Sequence, residues 1–199
     1  MSTESSRPIH PLAVRAMHWI NALAVLVMVG SGLEIHNAYP IAPFDFPDWM
    51  TIGGWLGGAL LWHFAAMWLF AANLVAMIGF GLLSGRYRRK LLPLSPRGFV
   101  ADLRAALRGG GLHADPARYN GVQRVLYAGV LAALVVLVLS GLALWKPVQL
   151  HGLAWLFGGF DFARIVHFAA MVAVVGFVLV HVAMALLVPR TLRLMTLGR

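Results

Sequence analysis

Four long stretches with almost no charge dominate this chain, running from about Leu12 to Leu33, Trp55 to Leu83, Gly121 to Trp145 and Ala163 to Val188. Each reaches the roughly 20 helical residues needed to cross a hydrocarbon core about 30 Å thick. A backbone in lipid must satisfy its own hydrogen bonds, so these segments are predicted to be helices. Of the 199 residues, 60% are hydrophobic and only 12% charged, which separates the chain from soluble domains. The expectation is an all-α integral membrane protein, one domain over residues 1–199 forming an up-down four-helix transmembrane bundle. No internal repeat is evident on this reading. The first stretch follows Arg7 and Arg15, but its apolar run is long for a secretory signal, so it is read as a retained helix.

Sixteen Lys and Arg against seven Asp and Glu give a formal charge of +9, and the position of those charges explains the excess. Arg86, Arg88, Arg89, Lys90, Arg97, Arg104, Arg108, Arg118 and Arg124 lie in or beside the segment between the second and third spans. Arg7 and Arg15 precede the first span, and Arg190, Arg193 and Arg199 follow the fourth. Only Lys146 and Arg164 fall on the opposite side, with Asp45, Asp48 and Asp161. The positive-inside rule therefore predicts that both termini and the middle loop are cytoplasmic. The partner implied is the lipid bilayer, and no nucleic acid is needed. Within the middle loop, "SPRGFVADLRAALRGGG" offers Ser95 as an N-cap and Pro96 at the first helical position, with Phe99, Val100, Leu103 and Leu107 at helical spacing. A short amphipathic helix at the cytoplasmic interface is expected there.

The histidines carry the chemistry. His10, His36, His113 and His151 fall in tails or loops, where an exposed imidazole is the expectation, whereas His18, His63, His167 and His181 fall inside spans. Ionisable groups in a membrane are costly and mark function. With the termini inside, His63 and His167 share the outer level, and His18 and His181 the inner one. His167 and His181 are fourteen residues apart, which is almost four complete turns, so both imidazoles leave one face of the fourth helix about 21 Å apart along its axis. Fourteen residues beyond His18 stands Gly32, where a missing side chain would let the first helix pass close to the outer site.

With no cysteine, the chain has no thiolate-ligated cluster and no covalent haem attachment. Zinc or copper would ordinarily recruit carboxylate or thiolate, which the spans lack. A porphyrin suits paired imidazoles in hydrocarbon, since its faces are apolar and two neutral histidines fill the axial positions of iron. Two haems b are therefore expected, His63/His167 outer and His18/His181 inner. Arg164, three residues before His167, and Arg15, three before His18, are positioned either to pair with propionates or to snorkel at helix ends.

"RAMHW" in the first helix, a lone histidine in the second and the two histidines of the fourth resemble the bacterial di-haem cytochrome b subunits. This cytochrome b561-like group includes the membrane subunits of respiratory formate dehydrogenase, nickel-iron hydrogenase and thiosulfate reductase. "HPLAVRAMHWINALAVLVMVGSGLEI" and "RYNGVQR" carry the resemblance most specifically. It implies the four axial histidines named above, the bacterial inner membrane, and a quinone site near the cytoplasmic haem to which Asn120 and Gln123 are carried over. In this chain Gly121 and Val122 follow Asn120, whereas the family pattern has its glycine one position later. Asn120 is also a natural helix N-cap.

The expected function is electron transfer between membrane quinone and a periplasmic iron–sulfur or molybdenum-containing oxidoreductase subunit. The outer loops, with Phe44, Phe46, Trp49, Trp155 and Phe160, serve either as a docking platform or as an interfacial aromatic belt. Two alternatives stand beside it. One is a stand-alone di-haem quinone oxidoreductase acting on a small diffusible partner. The other, a non-redox metal transporter or anchor, is opposed by the lack of acidic groups in the spans, Glu34 lying only at an outer edge.

Overall fold

A computed structural model describes residues 10–108 and 119–198. Arg7, His113, Arg118 and Arg199 lie outside the described residues. Every regular element among those described is helical: α1 Leu12–Ala38, α2 Leu56–Leu83, α3 Arg86–Lys90, α4 Pro96–Leu107, α5 Gly121–Trp145, α6 His151–Leu156, α7 Phe160–Leu187 and α8 Pro189–Thr196, with a 3-10 turn at Asp48–Met50. Four of them, α1, α2, α5 and α7, are long and apolar enough to cross a membrane.

Two helix ends differ from the apolar runs in the sequence. Beyond Leu33, α1 continues through Glu34, His36 and Asn37 to Ala38, because its backbone ladder does not depend on apolar side chains. At the other loop, Gly158 and Gly159 take φ of 74° and 96°, a left-handed turn that favours glycine, and α7 begins at Phe160 instead of Ala163. Asp161 then sits in its first turn, where a negative charge complements the helix dipole. The expected helix of the middle loop forms as α4, with the Ser95 hydroxyl accepting from the Gly98 N–H at 3.2 Å and Pro96 in the first turn. Short helices α3, α6 and α8 occupy segments that show no helical apolar run of their own.

The described residues group into two compact units. One comprises residues 10–19, 77–108, 119–128 and 178–198. In it, Asp102 of α4 accepts from the Gly121 N–H at 2.6 Å, and Arg124 donates to the Pro93 carbonyl at 3.2 Å, fastening α4 to the start of α5. In the same unit Arg15 donates to the Thr196 carbonyl at 2.6 Å and the Trp19 indole to the Met195 carbonyl at 3.2 Å. Both bonds satisfy carbonyls in the last turn of α8, which have no partner within the helix.

The other unit comprises Ile20–Ala76 and Gly129–Phe177. Small residues are the most deeply buried: Ala59, Ala143 and Ala163 are fully enclosed, as are the polar Ser31 and Ser140. Without a hydrophobic drive between helices in lipid, close backbone approach and interhelical hydrogen bonds hold such a bundle together. Asn73 of α2 supplies one of these bonds, donating to Asn21 of α1 at 3.2 Å.

Candidate functional site

In the second unit α2 and α7 bring His63 and His167 opposite one another, their ring centroids 6.5 Å apart and their planes inclined by 63°. Each ring is held from behind. Ser31 Oγ of α1 lies 2.9 Å from His63 Nδ1, and Ser140 Oγ of α5 lies 2.9 Å from His167 Nδ1. Each hydroxyl directs its own proton back along its helix, Ser31 to the Val27 carbonyl at 2.7 Å and Ser140 to the Val136 carbonyl at 2.6 Å. The serine oxygens therefore accept from the imidazoles, which puts the ring proton on Nδ1 and leaves the Nε2 lone pair free to bind a metal.

Glycines follow both serines. A Cβ at Gly32 would stand 3.6 Å from His63 Cε1, and one at Gly141 only 3.2 Å from His167 Cε1. The missing side chains thus admit the imidazoles themselves.

These contacts expose an internal repeat, contrary to the expectation of none. Ser31-Gly32-Leu33 on α1 recurs as Ser140-Gly141-Leu142 on α5, and His63-Phe64-Ala65-Ala66-Met67 on α2 recurs as His167-Phe168-Ala169-Ala170-Met171 on α7. Burial follows the same register: Ala59 and Ala163 lie four residues before the two histidines, Phe70 and Val174 seven after, and all four are buried. The contacts cross in equivalent fashion. Phe64 packs on Trp145 at 6.0 Å, while Phe168 stacks on His36 at 5.1 Å, and His36 and Trp145 each stand five residues after the serine. The outer pair is thus a two-fold site made from α1/α2 and α5/α7.

In the first unit the same α1 and α7 bring His18 and His181 together, with centroids 5.9 Å apart and planes inclined by 63°. Trp19 packs edge-on to His18 at 5.3 Å. Here the repeat is broken, since the positions equivalent to His18 and His181 hold Tyr127 and Met77. Nearby, Arg86 donates to His10 Nδ1 at 2.9 Å. Burial, followed by the charges of Arg86 and Lys90, lowers the His10 pKa to about 4 and keeps that ring neutral.

Both gaps suit an axially ligated metal. A metal–imidazole bond of about 2 Å on each side, with ring centroids a further ~1.1 Å behind the nitrogens, separates two centroids by about 6 Å. Two imidazoles alone leave a bare transition-metal ion short of ligands, and no group of three or more His, Cys, Asp or Glu side chains is placed to hold a metal among the described residues. A macrocycle contributing four equatorial nitrogens fits this donor set, and the four histidines are the residues that would hold it.

The other candidate residues are engaged in the fold. Arg164 donates to the Tyr39 carbonyl at 2.7 Å and lies over the Tyr39 ring at 4.2 Å, closing the end of α1. Arg15 binds α8 as described, its Nε buried without a partner. Asn120 and Gln123 form a reciprocal capping box on α5: Asn120 Oδ1 accepts from the Gln123 N–H at 2.8 Å, and Gln123 Oε1 from the Asn120 N–H at 3.1 Å. Among the loop histidines, His151 is exposed at the start of α6. His36, expected exposed in a loop, is instead only 5% exposed in the last turn of α1. It is enclosed because Asn37 clamps the Phe46 backbone by two bonds of 2.8 Å, folding the outer loop over it.

Residues 9–198 match the family described as prokaryotic cytochrome b561. A relative from Azospira oryzae, provisionally named protein-methionine-sulfoxide reductase subunit YedZ1, is 52% identical over 190 residues, spanning 96% of each chain. Two more distant relatives are provisionally named Ni/Fe-hydrogenase B-type cytochrome subunits. The one from Cupriavidus necator is 25% identical across 89% of this chain and 78% of its own; the one from Bradyrhizobium diazoefficiens is 24% identical across 87% and 75%. The chain therefore belongs to the prokaryotic cytochrome b561 family, as a multi-pass membrane protein with a transmembrane haem b electron-transfer role.

Proposed function

We propose that this chain carries two haems b, one between His63 and His167 and one between His18 and His181, and relays electrons between membrane quinone and an oxidoreductase partner. The observation that carries this reading is the pair of imidazole gaps, 6.5 and 5.9 Å between centroids, in the spans of a cytochrome b561 family chain. Bound in this way, haem iron supplies a one-electron couple with both axial positions filled, which suits electron transfer and not oxygen chemistry. Ser31 and Ser140 orient the outer rings and fix their tautomer, and the apolar helices exclude water. The basic residues of the termini and middle loop put those segments on the cytoplasmic side. Quinone then reacts near His18 and His181, and the partner docks at the loops around Phe44, Trp49 and Trp155.

The Azospira relative supports the outward direction, from quinol to a protein-methionine-sulfoxide reductase. Such a partner uses two electrons and two protons to convert methionine sulfoxide into methionine and water, so each turnover draws two single-electron transfers through this chain. The resemblance to respiratory cytochrome subunits implies that the partner carries an iron–sulfur or molybdenum centre. The relatives named as hydrogenase subunits favour a second reading, with electrons entering from the partner and leaving to quinone. Haem quantification and reaction of the oxidised protein with a quinol test the proposal. Two haems per chain, both reduced by quinol and reoxidised by partner plus peptide methionine sulfoxide, are expected. A single haem, or quinol-reduced haems that partner and sulfoxide fail to reoxidise, would refute it.

A further inference from the structure

His36 has a buried ring nitrogen with no protein partner. Its Nε2 accepts weakly from the Ala42 N–H at 3.5 Å, which leaves the proton on Nδ1, and Nδ1 is enclosed without an acceptor. An unpaired buried donor of this kind costs about 1–3 kcal/mol. The ring packs against Phe168 at 5.1 Å, Phe46 at 5.2 Å and Phe44 at 5.5 Å.

Its position relative to His63 and His167 bears on what that acceptor would be. His36 is four residues beyond Gly32 and so shares the face of α1 that meets His63, one turn or about 6 Å further along the helix. Phe168, on which it stacks, directly follows His167 in the chain. In the two-fold arrangement of this unit α1 exchanges with α5 and α2 with α7, and the members of each exchanged pair run in the same direction. The axis relating them therefore lies along the helices and passes between His63 and His167. A porphyrin clamped by those rings has its own approximate two-fold axis, which exchanges its two faces and its two propionates. Aligned with the protein axis, such a porphyrin would direct both carboxylates along the helices, and His36 and the equivalent residue Trp145 are the residues that would receive them. Trp145 brings an indole N–H, and the Lys146 ammonium lies over its ring at 4.8 Å.

We propose that His36 is the hydrogen-bond donor to one propionate of the haem held by His63 and His167, with Trp145 and Lys146 receiving the other. The assignment rests on the two-haem reading above. Arg164, another basic group near this end, already donates one N–H to the Tyr39 carbonyl, whereas the His36 ring is buried with its Nδ1 unpaired. By neutralising part of the carboxylate charge, His36 destabilises ferric iron relative to ferrous and raises the potential of this one haem.

Potentiometric titration of the full chain in detergent, following each haem spectrally, tests this. His36→Leu should retain two haems and lower the potential of one, shifting its oxidation equilibrium about tenfold, or ~59 mV for a one-electron couple. His36→Gln, which keeps an N–H, should recover most of the shift, and Trp145→Phe should lower the same haem. Unchanged potentials in both His36 variants would overturn the assignment, and so would equal shifts in Leu and Gln, which indicate packing alone. If His36→Leu does not accumulate, His36→Ala, which also removes the N–H, is titrated in its place, and it should lower the same haem as Trp145→Phe; a shift in different haems, or none, would overturn the assignment. Haem quantification of the unaltered protein separately reports any failure of the two-haem reading.

Discussion

Ser140 Oγ lies 2.9 Å from His167 Nδ1, the same separation that joins Ser31 to His63, and in both cases the serine proton is already given to its own helix. A ligand whose Nδ1–H is hydrogen-bonded donates more strongly through Nε2 and favours the ferric state. Ser140→Ala should therefore raise the potential of one haem and leave the other unchanged. Because the Leu137 backbone also hydrogen-bonds the His167 ring, the loss of stability should stay below the roughly 1–3 kcal/mol of a stranded N–H. Redox titration and thermal unfolding check both effects, and Ser31→Ala should act on the same haem.

The two glycines beside those serines differ in clearance. A Cβ at Gly141 would press on His167 Cε1 at 3.2 Å, whereas at Gly32 the distance to His63 is an ordinary 3.6 Å. Gly32→Ala should keep full haem content. Gly141→Val should displace the His167 ring and reduce haem to about half, read by pyridine haemochrome assay against protein concentration.

His10 makes stability depend on pH. Its pKa falls from 6.5 to about 4 in the fold, so the unfolded chain binds more protons between those values. The stabilisation is complete above about pH 6.5 and is lost as pH falls through about 4. His10→Gln should flatten that part of the stability profile relative to the unaltered chain, as measured by thermal unfolding from pH 7 to pH 4.

Asn120 has one role in the fold and another in the proposal. As the α5 cap, its replacement by Ala should cost about 1 kcal/mol, which Asn120→Ser restores. If its amide also serves quinone, the Ser variant recovers stability while its KM for quinol stays high. Recovery of both together would leave Asn120 as a cap alone.

How far the site was legible depends on which force set each part. Lipid forces long apolar runs, so all four spans could be read, and α5 begins and ends at Gly121 and Trp145 as the run does. The four intramembrane histidines were legible for the same reason, each being costly where it stands. The burial of His36 was not, because it depends on Asn37 gripping Phe46 and folding a loop of no regular pattern over the ring. The repeat is written in the sequence as two copies of HFAAM and two of SGL. Five residues and three in so apolar a chain carry little weight until Ser31 and Ser140 are seen to make the same bond. The engagement of Arg164 and Arg15 with helix ends was likewise hidden, since their partners, Tyr39 and Thr196, are distant in sequence.

The pairing of His63 with His167 is the central claim, and haem loss in single variants tests it most directly. His63→Ala and His167→Ala should each lose one haem of two, and the remaining haem should have the same spectrum and potential in both. Two haems retained in either variant, or spectrally different survivors, would contradict the pairing.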